Sequence, residues 1–167
     1  MDNEIVGFFI GKWDVFDNFS AFSVTYDGKH YATVEHAFQS LKYEVTSPDL
    51  AKKIRLMASP NEAYVLTRNK DIKALRDPSW DEKKIEIMTA LIRAKRDQHE
   101  IVRDALRSSG NSDIVEMNDN DEFWGWGPGP DHTGRNELGK IWMKIRHETR
   151  YNSDETSIDR EDVSAPI

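Results

Sequence analysis

The chain has 167 residues and a mass of 19.3 kDa, enough for one domain that buries most of its apolar surface and too short for two comfortable ones. It contains no cysteine, which removes disulfides, thiolate zinc sites and cysteine nucleophiles together. A formal net charge of -7 and a pI near 5.3 argue against the broad basic surface with which duplex-binding proteins neutralise phosphates, and leave room for a local basic pocket.

In chain order, the apolar run Glu4 to Ile10 reads as a strand, bounded by Gly11. Phe16 to Phe22 interleaves aromatic and polar residues without a clean period and reads as an ordered loop. Ser23 to Tyr26 and Lys29 to Ala32 flank Asp27-Gly28, whose positive φ angles suit a type I′ turn, so a hairpin is expected. The hairpin leads into a helix from an N-cap at Thr33 to Lys42. On a helical wheel Glu35, Gln39 and Lys42 fall within a band of roughly 60°, beside an apolar arc of Val34, Ala37, Phe38, Leu41 and Val45. His36 lies roughly 100° from the band. Such a stripe is commonly a solvated face; at the wall of a cleft it would hold ionisable groups part-desolvated and positioned by packing.

Ser47-Pro48 and Ser59-Pro60 each place a capping hydroxyl before a proline at the first helical position, predicting short helices from Pro48 to Ala58 and Pro60 to Thr67. Arg68 to Asp71 reads as a polar break. Ile85, Met88, Leu91, Ile92 and Lys95 then predict a helix to about Gln98, and Ile101, Val102, Ala105 and Leu106 mark one face of another that stops near Gly110. Ile114 to Met117 reads as a strand. Asn118 to Asn136, with four glycines, two prolines and two tryptophans, predicts a loop whose backbone approaches something closely. A last helix begins near Asn136 with Leu138, Ile141, Trp142 and Ile145 on its apolar side.

The expected class is α+β, a mainly helical single domain over residues 1–150 with a small β-hairpin or sheet, followed by a flexible acidic tail over 151–167. With no run near the roughly eighteen apolar residues of a span, and no basic region ahead of an apolar stretch at the N-terminus, a soluble cytoplasmic protein without membrane contact is expected.

No phosphate loop, Gly-Xaa-Ser-Xaa-Gly or His-Glu-Xaa-Xaa-His is present. The acidic run at Asp119 to Glu122 lacks the alternation and central glycine of an EF-hand, and the five histidines show no paired spacing, so no metal site is expected. What remains is Asp121 in the glycine-rich loop and the helix with Glu35 and Lys42. Paired carboxylates suit glycosidic hydrolysis, one handling a proton and the other stabilising positive charge or activating water. Exposed indoles suit stacking on a base or sugar. Core packing is the competing reading for Trp124 and the favoured one for Trp142.

Asn18-Phe19, Glu35-His36-Xaa-Xaa-Gln39-Xaa-Xaa-Lys42, Ser59-Pro60, Arg68, Trp80, Met88 with Lys95, and Val115-Glu116 followed by Asp121-Xaa-Xaa-Trp124-Gly125 and Gly134-Xaa-Asn136-Xaa-Leu138-Gly139 together resemble the YbiA-like, or NADAR, family. The resemblance spans roughly Ile5 to Arg150. It implies an N-glycosidase without a cofactor, acting on a ribosylated, nucleotide-like small molecule such as a phosphoribosylaminopyrimidine intermediate of riboflavin biosynthesis. The alternatives it implies are removal of ADP-ribose from guanine, in which nucleic acid enters only as an ADP-ribosylated substrate, and a non-catalytic nucleotide-binding module. Oligomeric state is left open.

By the same resemblance, Glu35 and Asp121 would be the acid/base pair. Lys42 would engage the anomeric carbon or a ring-opened ribose as an imine, or bind phosphate. Asn18, His36, Gln39, Arg68, Trp80, Trp124 and Asn136 would make up the substrate-binding set, although the direction of His36 suits it better to securing the hairpin or a loop by hydrogen bonding. The chain departs from the family at Thr67, where a glycine is expected, and in a loop between Trp124 and Asn136 about two residues longer than usual.

Overall fold

The computed structural model describes residues 5–9 and 11–158, with side chains to residue 150. β1 (Ile5–Gly7) and a 3-10 helix (Gly11–Phe16) precede the hairpin of β2 (Val24–Tyr26) and β3 (Lys29–Tyr31). Helices α1 (Val34–Leu41), α2 (Pro48–Arg55), α3 (Pro60–Arg68), α4 (Lys70–Ala74), α5 (Trp80–Gln98) and α6 (Glu100–Ser108) lead to β4 (Asp113–Val115) and α7 (Glu137–Ile158). The α+β, mainly helical class stands. Its described strands form two small sheets, β2 antiparallel to β3 and β1 parallel to β4.

The hairpin turns as its sequence requires, with Asp27 at φ 48° and Gly28 at φ 70°. β1 is shorter than the expected Glu4 to Ile10, and both of those end residues lie outside the described residues. β4 ends at Val115, one position before the buried Glu116.

α1 is capped at Thr33, whose Oγ1 accepts the His36 main-chain N–H at 3.2 Å. Val34, Ala37 and Phe38 enter the main core with Trp80, Met88, Leu91, Ile92 and Trp142. The polar stripe is buried too, since α1 packs against α2, α3 and α5; the solvated-face reading does not hold for Glu35 or Gln39, 5% and 4% exposed. Val45 does not join the apolar arc, because the helix ends at Leu41 and Val45 is exposed. Beneath α2 and α3, Tyr43, Ala51, Ile54 and Ala63 form a second, smaller cluster.

Ser59 caps α3 through Glu62 N–H, whereas Ser47 makes no side-chain cap to α2, which stops at Arg55. The expected break at Arg68 to Asp71 is interrupted: Asn69 Oδ1 accepts the N–H groups of Asp71 and Ile72 and starts α4. Ile85 and Ile101, expected on apolar faces, are exposed. α7 buries Leu138, Ile141, Trp142 and Ile145 and continues past residue 150 to Ile158; the remainder of the expected tail, 159–167, lies outside the described residues.

The aromatic loop is ordered by Lys95. This fully buried side chain donates from Nζ to Asp17 O at 2.8 Å and Ser20 Oγ at 2.9 Å, which fixes the segment carrying Asn18. No helix among the described residues is long and apolar enough to cross a membrane.

Candidate active site

A cavity of about 690 Å³ lies between α1, α3, the Asp17–Phe19 loop and the loop after β4. Its polar lining is arranged by charge. Asp17, Glu35, Glu116 and Asp121 come from three separate segments, while Lys42 is the C-cap of α1 and Arg68, Lys73 and Arg76 come from α3, α4 and the turn after it.

Helical spacing sets the first wall. Gln39 Nε2 donates to Glu35 Oε1 at 2.6 Å, and Gln39 Oε1 accepts from Lys42 Nζ at 2.6 Å and from Thr67 Oγ1 at 2.7 Å. Lys42 Nζ also lies over the rings of Phe38 and Trp80, at 5.1 and 6.0 Å from their centroids. Burial pushes the Glu35 carboxyl up to about 7, against the Gln39 hydrogen bond and the charge of Lys42. Burial likewise lowers the Lys42 ammonium to about 8, opposed by Glu35 and aided by Arg76, Lys73 and Lys84. An acid and an amine poised near neutrality are suited to proton transfer and to nucleophilic attack.

The opposite wall is loop. Asp121 Oδ1 accepts the main-chain N–H groups of Phe123 and Trp124 at 2.8 and 2.7 Å, which turns the indole of Trp124 edge-on to Phe38 at 5.4 Å. Glu116, 7% exposed, is pushed up to about 8 by burial and then by the charges of Asp17, Asp121 and Glu35. Burial raises Asp17 too, offset by the Phe19 N–H it accepts. Asn18 accepts the Glu35 main-chain N–H on its carbonyl, and its own Oδ1 is buried with no hydrogen-bond partner among the described residues. That orphaned acceptor belongs to a residue lining the cavity.

At the mouth, Arg68 stacks its guanidinium on Tyr64 at 5.1 Å and donates to the Tyr64 hydroxyl, while Phe19 meets the same ring edge-on. Among the described residues no three His, Asp or Glu side chains are grouped so as to hold a metal ion.

The NADAR domain model matches residues 8–150, nearly the whole described chain. The chain belongs to the NADAR family. The N-glycosidase YbiA of Escherichia coli is 33% identical to this NADAR chain over 150 residues, covering 89% of it and 90% of YbiA. The N-glycosidase Npun_R5314 of Nostoc punctiforme is 36% identical over 137 residues, covering 81% of this chain and 85% of the relative. The NMR structure of E. coli YbiA superposes with a TM-score of 0.79 at 29% identity, over 93% of this chain and 90% of that one.

Of the residues the NADAR resemblance singles out, Asn18, Glu35, Gln39, Lys42, Arg68, Asp121 and Trp124 line this cavity. Three do not. His36 turns away, its ring nitrogens 2.9 Å from Thr33 Oγ1 and 3.2 Å from Met57 O, so it secures the connection between α2 and α3. Trp80 is buried edge-on to Phe38 and supports the wall from behind. Asn136, at φ 47°, ties the loop to β4: its Oδ1 accepts Glu116 N–H and its Nδ2 donates to Ile114 O, both at 3.0 Å. Glu116 and Asp17 are lining carboxyls that sequence reasoning left without a role, although Glu116 is itself a quoted motif position and Asp17 stands beside Asn18. Lys73 and Arg76 carried no signal, because the fold of α4 alone brings them to the cavity.

Proposed function

We propose that the protein is an N-glycosidase that hydrolyses the C–N glycosidic bond of a ribosylated small molecule, with a phosphoribosylaminopyrimidine intermediate of riboflavin biosynthesis as its substrate. The observation that carries this reading is the buried Glu35, bonded through Gln39 toward Lys42 on one wall of a cavity whose other wall holds Asp121 and Trp124. Relatives named for riboflavin biosynthesis support the substrate, among them PYRR of Zea mays, 32% identical over 88% of this chain and 25% of its own length.

In this mechanism Glu35, protonated in part at neutral pH because of its burial, gives its proton to the departing nitrogen system as the C–N electron pair leaves with the base. Asp121 faces the ribosyl centre, stabilises its oxocarbenium character and takes the proton of the water that adds to the anomeric carbon. Trp124 offers an indole to the base, and Arg68 a guanidinium to the phosphate. Lys42, whose ammonium is lowered to about 8, supplies some free amine for an imine with a ring-opened ribose, and its charged form binds phosphate.

The test mixes pure protein with a panel of ribosylated metabolites and reads released base and ribose phosphate by mass spectrometry. Wild-type protein is expected to release both, and Glu35→Gln to be slower by about 10²- to 10⁴-fold. A Glu35→Gln variant as fast as wild type would overturn the role of Glu35. Borohydride added during turnover marks the imine route by a reduced adduct on Lys42, and its absence leaves Lys42 the phosphate contact.

A second reading is favoured by one observation, the additional cations Lys73 and Arg76, which line the same cavity as Arg68 and act on Lys42, and of which Arg76 also pairs with Asp81 at 2.6 Å; in that reading they serve a second phosphate. In it the leaving group is guanine and the released sugar is ADP-ribose. An ADP-ribosylated oligonucleotide in the same panel separates the two.

A further inference from the structure

Of the carboxyls that line the cavity, Asp17, Glu35 and Asp121 each spend an oxygen on the protein. Asp17 Oδ1 accepts the Phe19 main-chain N–H at 3.0 Å, Glu35 Oε1 accepts from Gln39 at 2.6 Å, and Asp121 Oδ1 accepts from Phe123 and Trp124. Glu116 differs. Its backbone is tied down, the N–H donating to Asn136 Oδ1 at 3.0 Å and the carbonyl accepting from Asn118 and Trp126 at 2.8 and 3.0 Å. Its carboxyl takes no hydrogen bond from any described residue, although the residue is only 7% exposed. Neither oxygen is sealed inside the protein as Asn18 Oδ1 is, so both open on the cavity that Glu116 lines. A buried carboxyl on a fixed backbone, with two uncommitted acceptors, is left for a ligand to satisfy.

The surroundings decide which part of a ligand. Arg68, Lys73 and Arg76 gather on the cationic side of the cavity and suit phosphate. The bond from Trp126 N–H to Glu116 O sets Glu116 in the same wall as Trp124, where an indole is offered to the base. Asp17, Asp121 and Glu35 all press negative charge on Glu116. A carbonyl oxygen brought there would meet lone pairs on every side, whereas N–H groups relieve the crowding. The two oxygens of a carboxylate accept two parallel N–H bonds, as they do from a guanidinium. On a base, that pair of donors is a ring N–H beside an exocyclic amino group. We propose that Glu116 is a specificity-determining residue, whose two carboxylate oxygens accept the adjacent ring N–H and amino N–H of an aminopyrimidinone edge. Guanine and the aminopyrimidinones present that edge; a base with oxo or hydrogen in place of the amino group does not. This role rests on the N-glycosidase reading only in taking the base to lie on the Trp124 wall.

Binding of this kind carries a signature beyond affinity. Burial, and then the charges of Asp17, Asp121 and Glu35, push the ligand-free Glu116 carboxyl up to about 8. Accepting two N–H groups requires the ionised form, so near neutral pH the bound base displaces a proton to solvent. Glutamine at this position offers one acceptor and one donor, and its NH₂ opposes the amino group of the base.

The experiment is calorimetric titration with guanosine monophosphate and with inosine monophosphate, which lacks only the amino group, in buffers of different ionisation enthalpy at about pH 7. Wild-type protein is expected to bind the guanosine nucleotide about 10-fold more tightly and to release about half a proton more with it. In Glu116→Gln both differences are expected to vanish, the guanosine nucleotide falling to the affinity of the inosine one. Equal affinities in wild-type protein overturn the proposal, and so does a preference that survives in Glu116→Gln. Equal weakening of both nucleotides in the variant would put Glu116 on the shared ribose and overturn it too. A preference in wild-type protein that hydrolyses no member of the panel leaves Glu116 its role and removes the N-glycosidase reading; hydrolysis without the preference does the reverse.

Discussion

The α1 wall and the glycine-rich wall face each other across one cavity, yet the first is held mainly by side chains and the second mainly by backbone. On α1, a Thr33 cap, the Gln39 relay and packing against three helices position Glu35 and Lys42. In the loop, Trp126 N–H donates to Glu116 O, Gly134 N–H to Trp126 O, Arg135 N–H to Glu122 O and Asn136 N–H to Gly125 O. The segment folds back on itself with backbone closing on Gly125, Gly127 and Gly134: a Cβ added at Gly125 would lie 2.9 Å from the carbonyl oxygens of Asn118 and Asp121. Side-chain fixation tolerates substitution by degrees, whereas a close-packed backbone does not.

Gly134→Ala is therefore expected to do the most harm. The new methyl would sit 2.3 Å from the Trp126 carbonyl carbon and 2.5 Å from the Gly127 nitrogen, neither of which can swing aside. Overpacking against backbone is expected to cost about 3 kcal/mol, read as a lower urea midpoint, and to displace Asp121 and Trp124 enough to abolish hydrolysis. An alanine variant with native stability would mean that this wall yields as a loop does.

The two walls also press their charges together, and Glu116 reports the strain. Because its folded carboxyl is raised from 4.5 to about 8, the folded chain holds that proton more tightly than the unfolded one. Its contribution to stability is thus full below about pH 4.5 and is lost as pH rises toward 8. Glu116→Gln should make the decline in unfolding free energy between pH 5 and pH 9 shallower by about 2 kcal/mol, less than full linkage because an open cavity lets water relax around the ionised group. Glu35, raised to about 7, keeps a decline of the same sign in the variant. Equal slopes for the two proteins would remove Glu116 as a titrating member of the cluster.

Asp121 is where the loop wall depends on one side chain, and two substitutions divide its duties. Asp121→Ala leaves the N–H groups of Phe123 and Trp124 without their acceptor and is expected to cost about 1.5 kcal/mol. Asp121→Asn retains an acceptor oxygen and should unfold within about 0.5 kcal/mol of wild type while losing the charge the proposed reaction uses. Equal activity in Asp121→Asn and wild type would reduce Asp121 to a turn-former.

How much of this was legible in the sequence differs between the walls for a physical reason. The spacing of Glu35, Gln39 and Lys42 is periodic, so the helix and the shared face follow from 3.6 residues per turn, and Asp27-Gly28 and Ser59-Pro60 announce their turn and start in the same local way. What covers that face is non-local, so burial of the stripe against α2, α3 and α5 could not be read from α1 alone. The glycines and prolines announced a loop. That Asn136 would tie it to β4 instead of facing ligand depends on contacts twenty and more residues away. Lys73 and Arg76 reach the site because Asn69 restarts a helix inside what composition reads as a polar break.

The smallest expected effect belongs to the helix wall. Thr33 Oγ1 accepts the His36 N–H and lies 2.9 Å from His36 Nδ1; its proton then points to Nδ1 and leaves Nε2–H to donate to Met57 O at 3.2 Å. Thr33→Ala removes both Thr33 contacts and should cost about 1 kcal/mol of unfolding free energy. The face carrying Glu35 and Lys42 should hardly move, because Glu35 N–H is bonded to Asn18 O and Ala37 N–H to the Thr33 carbonyl, neither of which needs the hydroxyl. Hydrolysis by Thr33→Ala within about twofold of wild type, beside a dead Gly134→Ala, is what redundant side-chain fixation on one wall and close-packed backbone on the other require. A Thr33→Ala variant as inactive as Gly134→Ala would show that α1 is held by its cap alone, and the contrast between the walls would be lost.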